Sequence, residues 1–451
     1  MSARASHHRR ALPEAPARRG WCPGLARPMP TGDGLLARVH PPLGILTLDQ
    51  ARAVSEGARR FGNGHIDLTA RANLQIRGVT EATQTDLARL LAAEGLGDMR
   101  TDGGPQRLTL TGPLADRDPD ALIDVSGLAR AVEAAGLAIP GLPAKTLVVI
   151  AGRRDVAMPE ADCRVVAREP GIVTIVAGQE QEEIVACAEG EAPARVAALL
   201  AAFASTGRRR MRDLSDAERA IIAAALSVRD PAGIPAQASG RGDFARDDAP
   251  FAPAPGLHAR PGLHILAIDA AFGRCTAAAF DRVVTAAVAL GASDIRLSST
   301  RGFVLATEPR LDTRVVLADL ATDFITAPGD PRRRIDACTG APGCASGSTP
   351  TLADAARLAE AFRPLPASGG TAHVSGCAKG CARPGPAGLT LVGRDGRYGI
   401  VLGGAPADEP AMDLPIEAVL ERLGRAKTVG LTAAFAPDTA HTQCGRTRRP
   451  A

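Results

Sequence analysis

Apolar positions along the chain follow two rhythms, one of helical period and one alternating, and their order repeats. From Thr47 to Phe61, and again from Thr276 to Leu290, apolar residues recur at helical spacing over about four turns. In the second run these are Phe280, Val283, Val284, Ala287 and Val288, and a threonine stands at the head of each run as a capping residue. A glycine, Gly62 or Gly291, ends the run, and a short alternating strand follows, Ile66 and Leu68 in one copy, Ile295 and Leu297 in the other. Thr47 and Thr276, Gly62 and Gly291, and Ile66 and Ile295 are each 229 residues apart. An apolar stretch before each run (Leu35–Val39; Leu263–Ile268) makes each copy strand–helix–strand. A constant offset across three landmarks is the mark of an internal duplication.

A second matched pair lies downstream. Leu142-Pro143-Ala144-Lys145 with Val149-Ile150-Ala151-Gly152 parallels Leu365-Pro366 with Val374-Ser375-Gly376-Cys377. Helical patterns at Pro193–Phe203 and Ser215–Leu226 close the first half, and those at Thr351–Phe362 and Pro415–Lys427 belong to the second. The Pro/Gly/Ala-rich stretch 230–255 reads as the linker between two copies of one α+β unit. The expected organisation is a tail (1–18), a half-domain (19–98), a lobe without paired cysteines (99–229), the linker, a second half-domain (256–312), a cysteine-bearing lobe (313–435) and a tail (436–451).

Composition narrows the function. The chain has 451 residues, about three domains' worth, with 45% hydrophobic and 23% charged residues, an ordinary soluble profile. A net charge of +4 and an aromatic share of 3% leave no stacking platform for nucleic acid. No apolar run approaches the ~20 residues of a membrane span, and no apolar segment follows the basic stretch Ser2–Arg19 as a secretory signal requires. A cytoplasmic location is expected. Of 53 Lys plus Arg, only Lys145, Lys379 and Lys427 are lysine. Much of that bias matches the inflation of Ala, Gly and Pro, so each surviving lysine draws attention.

Four of the nine cysteines are paired in spacing, as Cys338-x5-Cys344 and Cys377-x3-Cys381. Glycines on both sides (Gly343, Gly347, Gly376, Gly380) allow backbone N–H groups to approach sulfur closely. Four thiolates satisfy either a tetrahedral zinc or a [4Fe–4S] cube. Structural zinc favours ~2–4 residues between paired ligands, so these wider gaps on glycine-rich loops suit the cube better. Cys22, Cys163, Cys187, Cys275 and Cys444 lack paired spacing and read as small hydrophobes.

Cys-x5-Cys followed by Gly-Cys-x-x-Gly-Cys-Ala-Arg-Pro on the second half of a duplicated chain resembles the sulfite/nitrite reductase superfamily. The resemblance implies an α+β, pseudo-twofold duplicated fold with ferredoxin-like half-domains and two mixed α/β lobes. It also implies that Cys338, Cys344, Cys377 and Cys381 bind a [4Fe–4S] cluster. Thr69-Ala70-Arg71-Ala72-Asn73-Leu74-Gln75-Ile76-Arg77 matches the superfamily's Thr-x-Arg-x-x-x-Gln strand. Alternation would put Thr69, Arg71, Asn73, Gln75 and Arg77 on one face, a row of donors suited to a polycarboxylate tetrapyrrole. Without the resemblance, a solvated polar face is the better explanation of them. Arg107 stands where the superfamily carries a further substrate-side arginine, and Arg301 is a weaker candidate in the second copy.

Departures from the superfamily sharpen the reading. Siroheme sulfite reductases typically have Pro-Arg-Lys-Phe-Lys, where this chain has Pro143-Ala144-Lys145-Thr146-Leu147. Ala378-Lys379-Gly380 replaces their Pro-Asn-Gly between the last two cysteines. With Gly20-Trp21-Cys22-Pro23-Gly24 and Pro28-Met29-Pro30-Thr31-Gly32-Asp33-Gly34, these choices resemble a branch in which the tetrapyrrole is substrate instead of cofactor. That branch implies an O2-dependent monooxygenase acting on precorrin-3A, with NADH as ultimate electron source and a [4Fe–4S] cluster beside a mononuclear non-haem iron. Lys145, Lys379 and Arg107 are then the expected catalytic residues. The alternative is a siroheme-dependent sulfite or nitrite reductase; a metal-stabilised binding protein is the third reading. His40, His65, His258, His264 and His373 are candidate imidazoles for the iron, but none forms a spaced pair with a carboxylate. No Gly-x-Gly-x-x-Gly follows a strand, so a separate reductase or ferredoxin is the expected electron donor.

Overall fold

Thr47 starts the first long helix, Leu48–Phe61, with a capping box: its hydroxyl accepts from the Gln50 N–H at 3.1 Å, and the Gln50 side chain accepts from the Thr47 N–H at 3.0 Å. Thr276 caps its counterpart, Ala277–Ala289, through the Ala279 N–H at 3.1 Å. These contacts come from a computed structural model that describes residues 21–154, 156–178, 184–227, 249–308, 313–363 and 370–436. The basic tail, most of the 230–255 linker, Leu365-Pro366 and Cys444 lie outside the described residues. Among the described residues no helix is long and apolar enough to cross a membrane.

The duplication is visible residue by residue. In the first half, antiparallel strands run in the order Gly34–Val39, Leu74–Val79, His65–Leu68; in the second, Leu263–Ala270, Gly302–Thr307, Asp294–Ser298. Each sheet is completed by a short strand from the other half. Arg274–Thr276 pairs with His65–Asp67 of the first sheet, and Ile45–Thr47 pairs with Asp294–Arg296 of the second. Positive backbone φ recurs at Leu43 and Phe272, Gly44 and Gly273, and Ala72 and Arg301, all at the 229-residue offset. The two long helices pack together, with Ser55 Oγ donating to the Ala277 carbonyl at 3.0 Å. Val54, Ala58, Phe280 and Val283 fill the space beneath, fully buried; each of the larger side chains contributes about 1.5–3 kcal/mol by leaving water.

The lobes repeat a second topology. In one, strands Thr109–Thr111, Val148–Ala151 and Cys163–Glu169 are parallel, and Ile172–Ala177 and Ile184–Ala188 follow antiparallel. In the other, Ile335–Ala337, Ala372–Ser375 and Ala387–Arg394 are parallel, then Arg397–Gly404 and Met412–Leu414 antiparallel. The matched strands Val148–Ala151 and Ala372–Ser375 are the middle parallel strands of their sheets. By contacts the chain divides into a larger unit (19–30 and 34–328) and a smaller one whose described part is 31–33 and from Gly329 onward. Both half-domains and the first lobe lie in the larger unit. Phe324–Ile325 pairs with Ala270 and Asp269 of the second half-domain, so the chain joins the cysteine-bearing lobe after this strand instead of at 313.

One strand expectation is corrected. Thr69 to Arg77 is not a single alternating strand: His65–Leu68 and Leu74–Val79 are separate strands of a hairpin. The turn between them is built by the Thr69 hydroxyl, which accepts from the Arg71 N–H at 3.3 Å and the Asn73 N–H at 3.1 Å. Ala72 takes a positive φ of 51°. The five polar residues therefore do not form one donor row. A side chain that holds a local turn competes with strand pairing, which periodicity alone does not reveal.

Candidate functional site

In the smaller unit, two parallel strand ends deliver the cysteines. Cys338 follows Ile335–Ala337 and Cys377 follows Ala372–Ser375, with the Cys338 N–H donating to the Val374 carbonyl at 3.2 Å. The Gly376 N–H donates to the Cys338 sulfur at 3.0 Å. Cys344 is carried on a turn in which its N–H donates to the Gly340 carbonyl at 2.7 Å. Beneath the thiols the chain is packed glycine on glycine. A Cβ at Gly376 would lie 3.2 Å from the Cα atoms of both Gly340 and Gly347, and one at Gly340 would lie 2.2 Å from Thr351 Oγ1. Gly32 belongs to this cradle, donating to the Gly343 carbonyl at 3.2 Å; a Cβ there would lie 2.4 Å from the Pro342 carbonyl oxygen. That contact explains Gly32 of the Pro28–Gly34 motif.

Desolvation pushes the Cys381 thiol up to about 11; Lys379 opposes this, and Cys377, Cys338 and Cys344 add to the rise. Cys377 is raised by the same burial and by Cys344 and Cys338, while the Lys379 N–H lowers it. The four sulfurs thus share one electrostatic environment. Among the described residues, however, no three His, Cys, Asp or Glu side chains close on a single metal ion. Four thiols on glycine-rich loops, over a cradle that a Cβ would fill, are compatible with a cube in which each sulfur has its own iron.

In the larger unit the hairpin turn presents Arg71. Its guanidinium donates to the Lys145 carbonyl at 2.8 Å. Arg107 reaches beneath the turn, donating to the carbonyls of Pro41 and Ala72, both at 2.9 Å, and to that of Arg71. Around them stand Arg38, His40 and Arg210. Burial pushes Arg71 down to about 10, with Arg210 and Arg38 adding to the drop and Asp162 opposing it. Burial pushes Arg107 down to about 10 as well, opposed by Glu133 and reinforced by Arg71. His40 falls well below its ordinary value through burial, Arg38 and Arg107. Asp162 offsets part of this charge, accepting from Arg210 Nε and the Met211 N–H at 3.0 Å and from the Leu147 N–H at 3.1 Å. The cluster therefore carries more positive than negative charge.

Several expected site residues have other tasks. Arg77 is 3% exposed and ion-paired with Asp67 at 3.2 Å, so its charge is neutralised inside the sheet. Gln75 accepts from Arg38 Nε at 3.0 Å and Nη2 at 2.8 Å. Arg107 spends its guanidinium on backbone carbonyls and positions the turn, which corrects its reading as a catalytic residue. Arg301 is the duplicate of Ala72, not of Arg71, and its Cδ packs over Gly273. Asn73 is buried and its Oδ1 has no hydrogen-bond partner. Lys145 and Lys379 are both exposed and belong to different units. Leu147, in the place of the superfamily's second lysine, is buried in the core. Sequence reading missed Arg38, Arg210 and Asp162. Arg38 was hidden in an apolar strand, and the other two are brought in from 91 or more residues past Arg71.

Comparison with known proteins follows this geometry. The nitrite/sulfite reductase ferredoxin-like half domain matches residues 27–94. A precorrin-3B synthase from Sinorhizobium sp is 35% identical over 96% of this chain and 94% of its own length. The chain belongs to the precorrin-3B synthase family. Nitrite reductases are more distant members of the same superfamily. A ferredoxin–nitrite reductase from Synechococcus elongatus is 27% identical over 83% of this chain and 78% of its own. The structure of Mycobacterium tuberculosis NirA superposes with a TM-score of 0.63 at 21% identity, covering 87% of this chain and 80% of that one. That likeness supports the α+β superfamily fold of this precorrin-3B synthase relative.

Proposed function

We propose that the chain is an oxidoreductase of aerobic cobalamin biosynthesis that hydroxylates precorrin-3A at C-20 with O2 and closes a γ-lactone onto the ring A acetate. The observation that carries this reading is the cationic cluster around Arg71, whose burial depresses two guanidiniums that Asp162 and Glu133 only partly offset. A polycarboxylate macrocycle supplies the missing negative charge and accepts bidentate bonds from Arg71. Lys145, exposed and with its carbonyl bonded to Arg71, adds a second cation for a carboxylate. Leu147 in the core removes the second proton donor that reduction of a small oxyanion needs, which favours this reading over a siroheme sulfite or nitrite reductase.

A [4Fe–4S] cluster on Cys338, Cys344, Cys377 and Cys381 would supply single electrons. Lys379 stabilises negative charge on Cys377 and Cys381. The mononuclear non-haem iron implied by the family resemblance finds no three-ligand set among the described residues, so the residues present do not fit it. Electrons originating from NADH would arrive through a separate reductase or ferredoxin.

The test is conversion of precorrin-3A by anaerobically purified enzyme on admission of O2 and a reductant, with sulfite and nitrite as control substrates. Lactone product with 18O from O2 supports the reading. Siroheme absorption bands with sulfite or nitrite turnover would overturn it.

A further inference from the structure

Among the described residues of the smaller unit, Asp354 is the one buried carboxylate, at 4% exposure. Its Oδ2 accepts from the hydroxyl of Tyr398, the chain's single tyrosine, at 2.6 Å, and that side chain is buried as well. Arg357 Nη1 lies 3.6 Å from Asp354 Oδ1, but this guanidinium is 46% exposed and also meets Glu417 at 3.4 Å. Nothing in the proposed reaction uses this buried acid.

Two contacts tie the pair to the cysteine cradle. Helix Thr351–Phe362 carries Asp354 in its first turn. Thr351, three residues earlier, donates its hydroxyl to the Cys338 carbonyl at 2.5 Å, and residues at this spacing share a helix face with Cβ atoms ~5–6 Å apart. From the other side, Tyr398 stands opposite Gly393 in the strand pair Ala387–Arg394 and Arg397–Gly404. A Cβ at Gly393 would lie 2.6 Å from Thr349 Oγ1 and 2.8 Å from the Gly376 carbonyl oxygen, so this strand pair packs on the backbone that leads into Cys377. Burial and the bond to Asp354 push the phenol up, Thr349 opposes them, and the Cys338 sulfur adds to the rise. We propose that Asp354, held in place by Tyr398, sets the redox poise of the cysteine site: its buried negative charge lowers the reduction potential of the group carried by Cys338, Cys344, Cys377 and Cys381.

The proposal rests on the cluster reading of the four cysteines. When bound, a [4Fe–4S] cluster takes up one electron from a donor with no bond made or broken, and its charge becomes more negative by one. Neighbouring charges and hydrogen bonds to sulfur set how favourable that step is. The Gly376 N–H, 3.0 Å from the Cys338 sulfur, and the Lys379 charge acting on Cys377 and Cys381 favour the reduced state. Asp354 opposes them, and its burial keeps water from screening the charge. Arg357, facing solvent, offsets only part of it. A lowered potential makes the reduced site a stronger reductant and demands a low-potential one-electron donor.

The experiment is a redox titration of full-length, anaerobically purified enzyme with dithionite, followed by EPR of the reduced cluster. Asp354→Asn keeps the shape and an oxygen that accepts from Tyr398, and removes only the charge. Its midpoint should move positive by about 59 mV, the equivalent of a tenfold rise in the reduced-to-oxidised ratio of a one-electron couple. Arg357→Gln, an exposed change, should move the midpoint in the negative direction. Iron and sulfide content should match wild type in both variants. An unchanged or more negative midpoint in Asp354→Asn overturns the proposal and leaves the pair a structural contact. If Asp354→Asn assembles no cluster, Arg357→Gln decides: a negative shift supports the proposal and an unchanged midpoint overturns it. Wild-type enzyme without iron and sulfide would instead overturn the cluster reading itself, and the proposal with it.

Discussion

Arginine identity alone does not distinguish Arg71 from Arg77, six residues apart and both on the same hairpin; their partners do. Arg77 meets Asp67, which Arg274 also grips, whereas Arg71 gives a single bond to the Lys145 carbonyl. Arg71→Ala should therefore weaken binding of a tetrapyrrole polycarboxylate by about 1.5–3 kcal/mol, the worth of a charged hydrogen bond, with little change in unfolding midpoint. Arg77→Ala should do the reverse, costing about 1.5–3 kcal/mol of stability by removing a charged hydrogen bond to Asp67, which keeps its Arg274 partner, read by urea unfolding. His40 adds a pH signature. Its folded-state pKa is depressed, so on acidification the unfolded chain takes up the proton first. Stability then declines as pH falls below about 6.5 toward the lower folded value. Thermal midpoints measured across that window should slope less in His40→Gln; an unchanged slope would mean that His40 titrates normally.

At the scale of elements, turns decide the site. Arg107 holds three carbonyls from two turns, those at Pro41 and at Arg71–Ala72, so it acts on ligand through the placement of Arg71. In a double-mutant cycle, Arg107→Ala should weaken tetrapyrrole binding in the wild-type background and add almost nothing once Arg71 is already alanine. Additive losses would give Arg107 a ligand contact of its own. The cysteine cradle is equally strict. Gly340 has a φ of +62° and no room for a Cβ beside Thr351 Oγ1, so Gly340→Ala should lower the iron and sulfide content of purified protein without touching a cysteine. The glycines beside the cysteines were legible in the sequence, and their spacing suggested close backbone approach. The hairpin was not, because a hydroxyl-built turn interrupts an alternation that reads as continuous.

Across the whole molecule, the exchanged strands Ile45–Thr47 and Arg274–Thr276 make each half-domain sheet incomplete without the other half. A fragment ending near residue 98 should lack cooperative unfolding by circular dichroism, whereas the intact chain's half-domains should melt together. The duplication that predicts two similar sheets contains no hint of this exchange, since a three-residue strand is too short to declare its partner. Much of the rest was readable in advance: the 229-residue repeat, the helices and their threonine caps, the matched lobes and the four cysteines. Those features are local or periodic, so propensity, capping chemistry and spacing suffice to specify them. What only the tertiary structure decided is which charges are already matched. Asp67 neutralises Arg77, Asp162 comes to Arg210, and Arg38 and Arg210 come to Arg71. Coulombic pairing and desolvation depend on distances between residues far apart in the chain, and those distances exist only once it is folded.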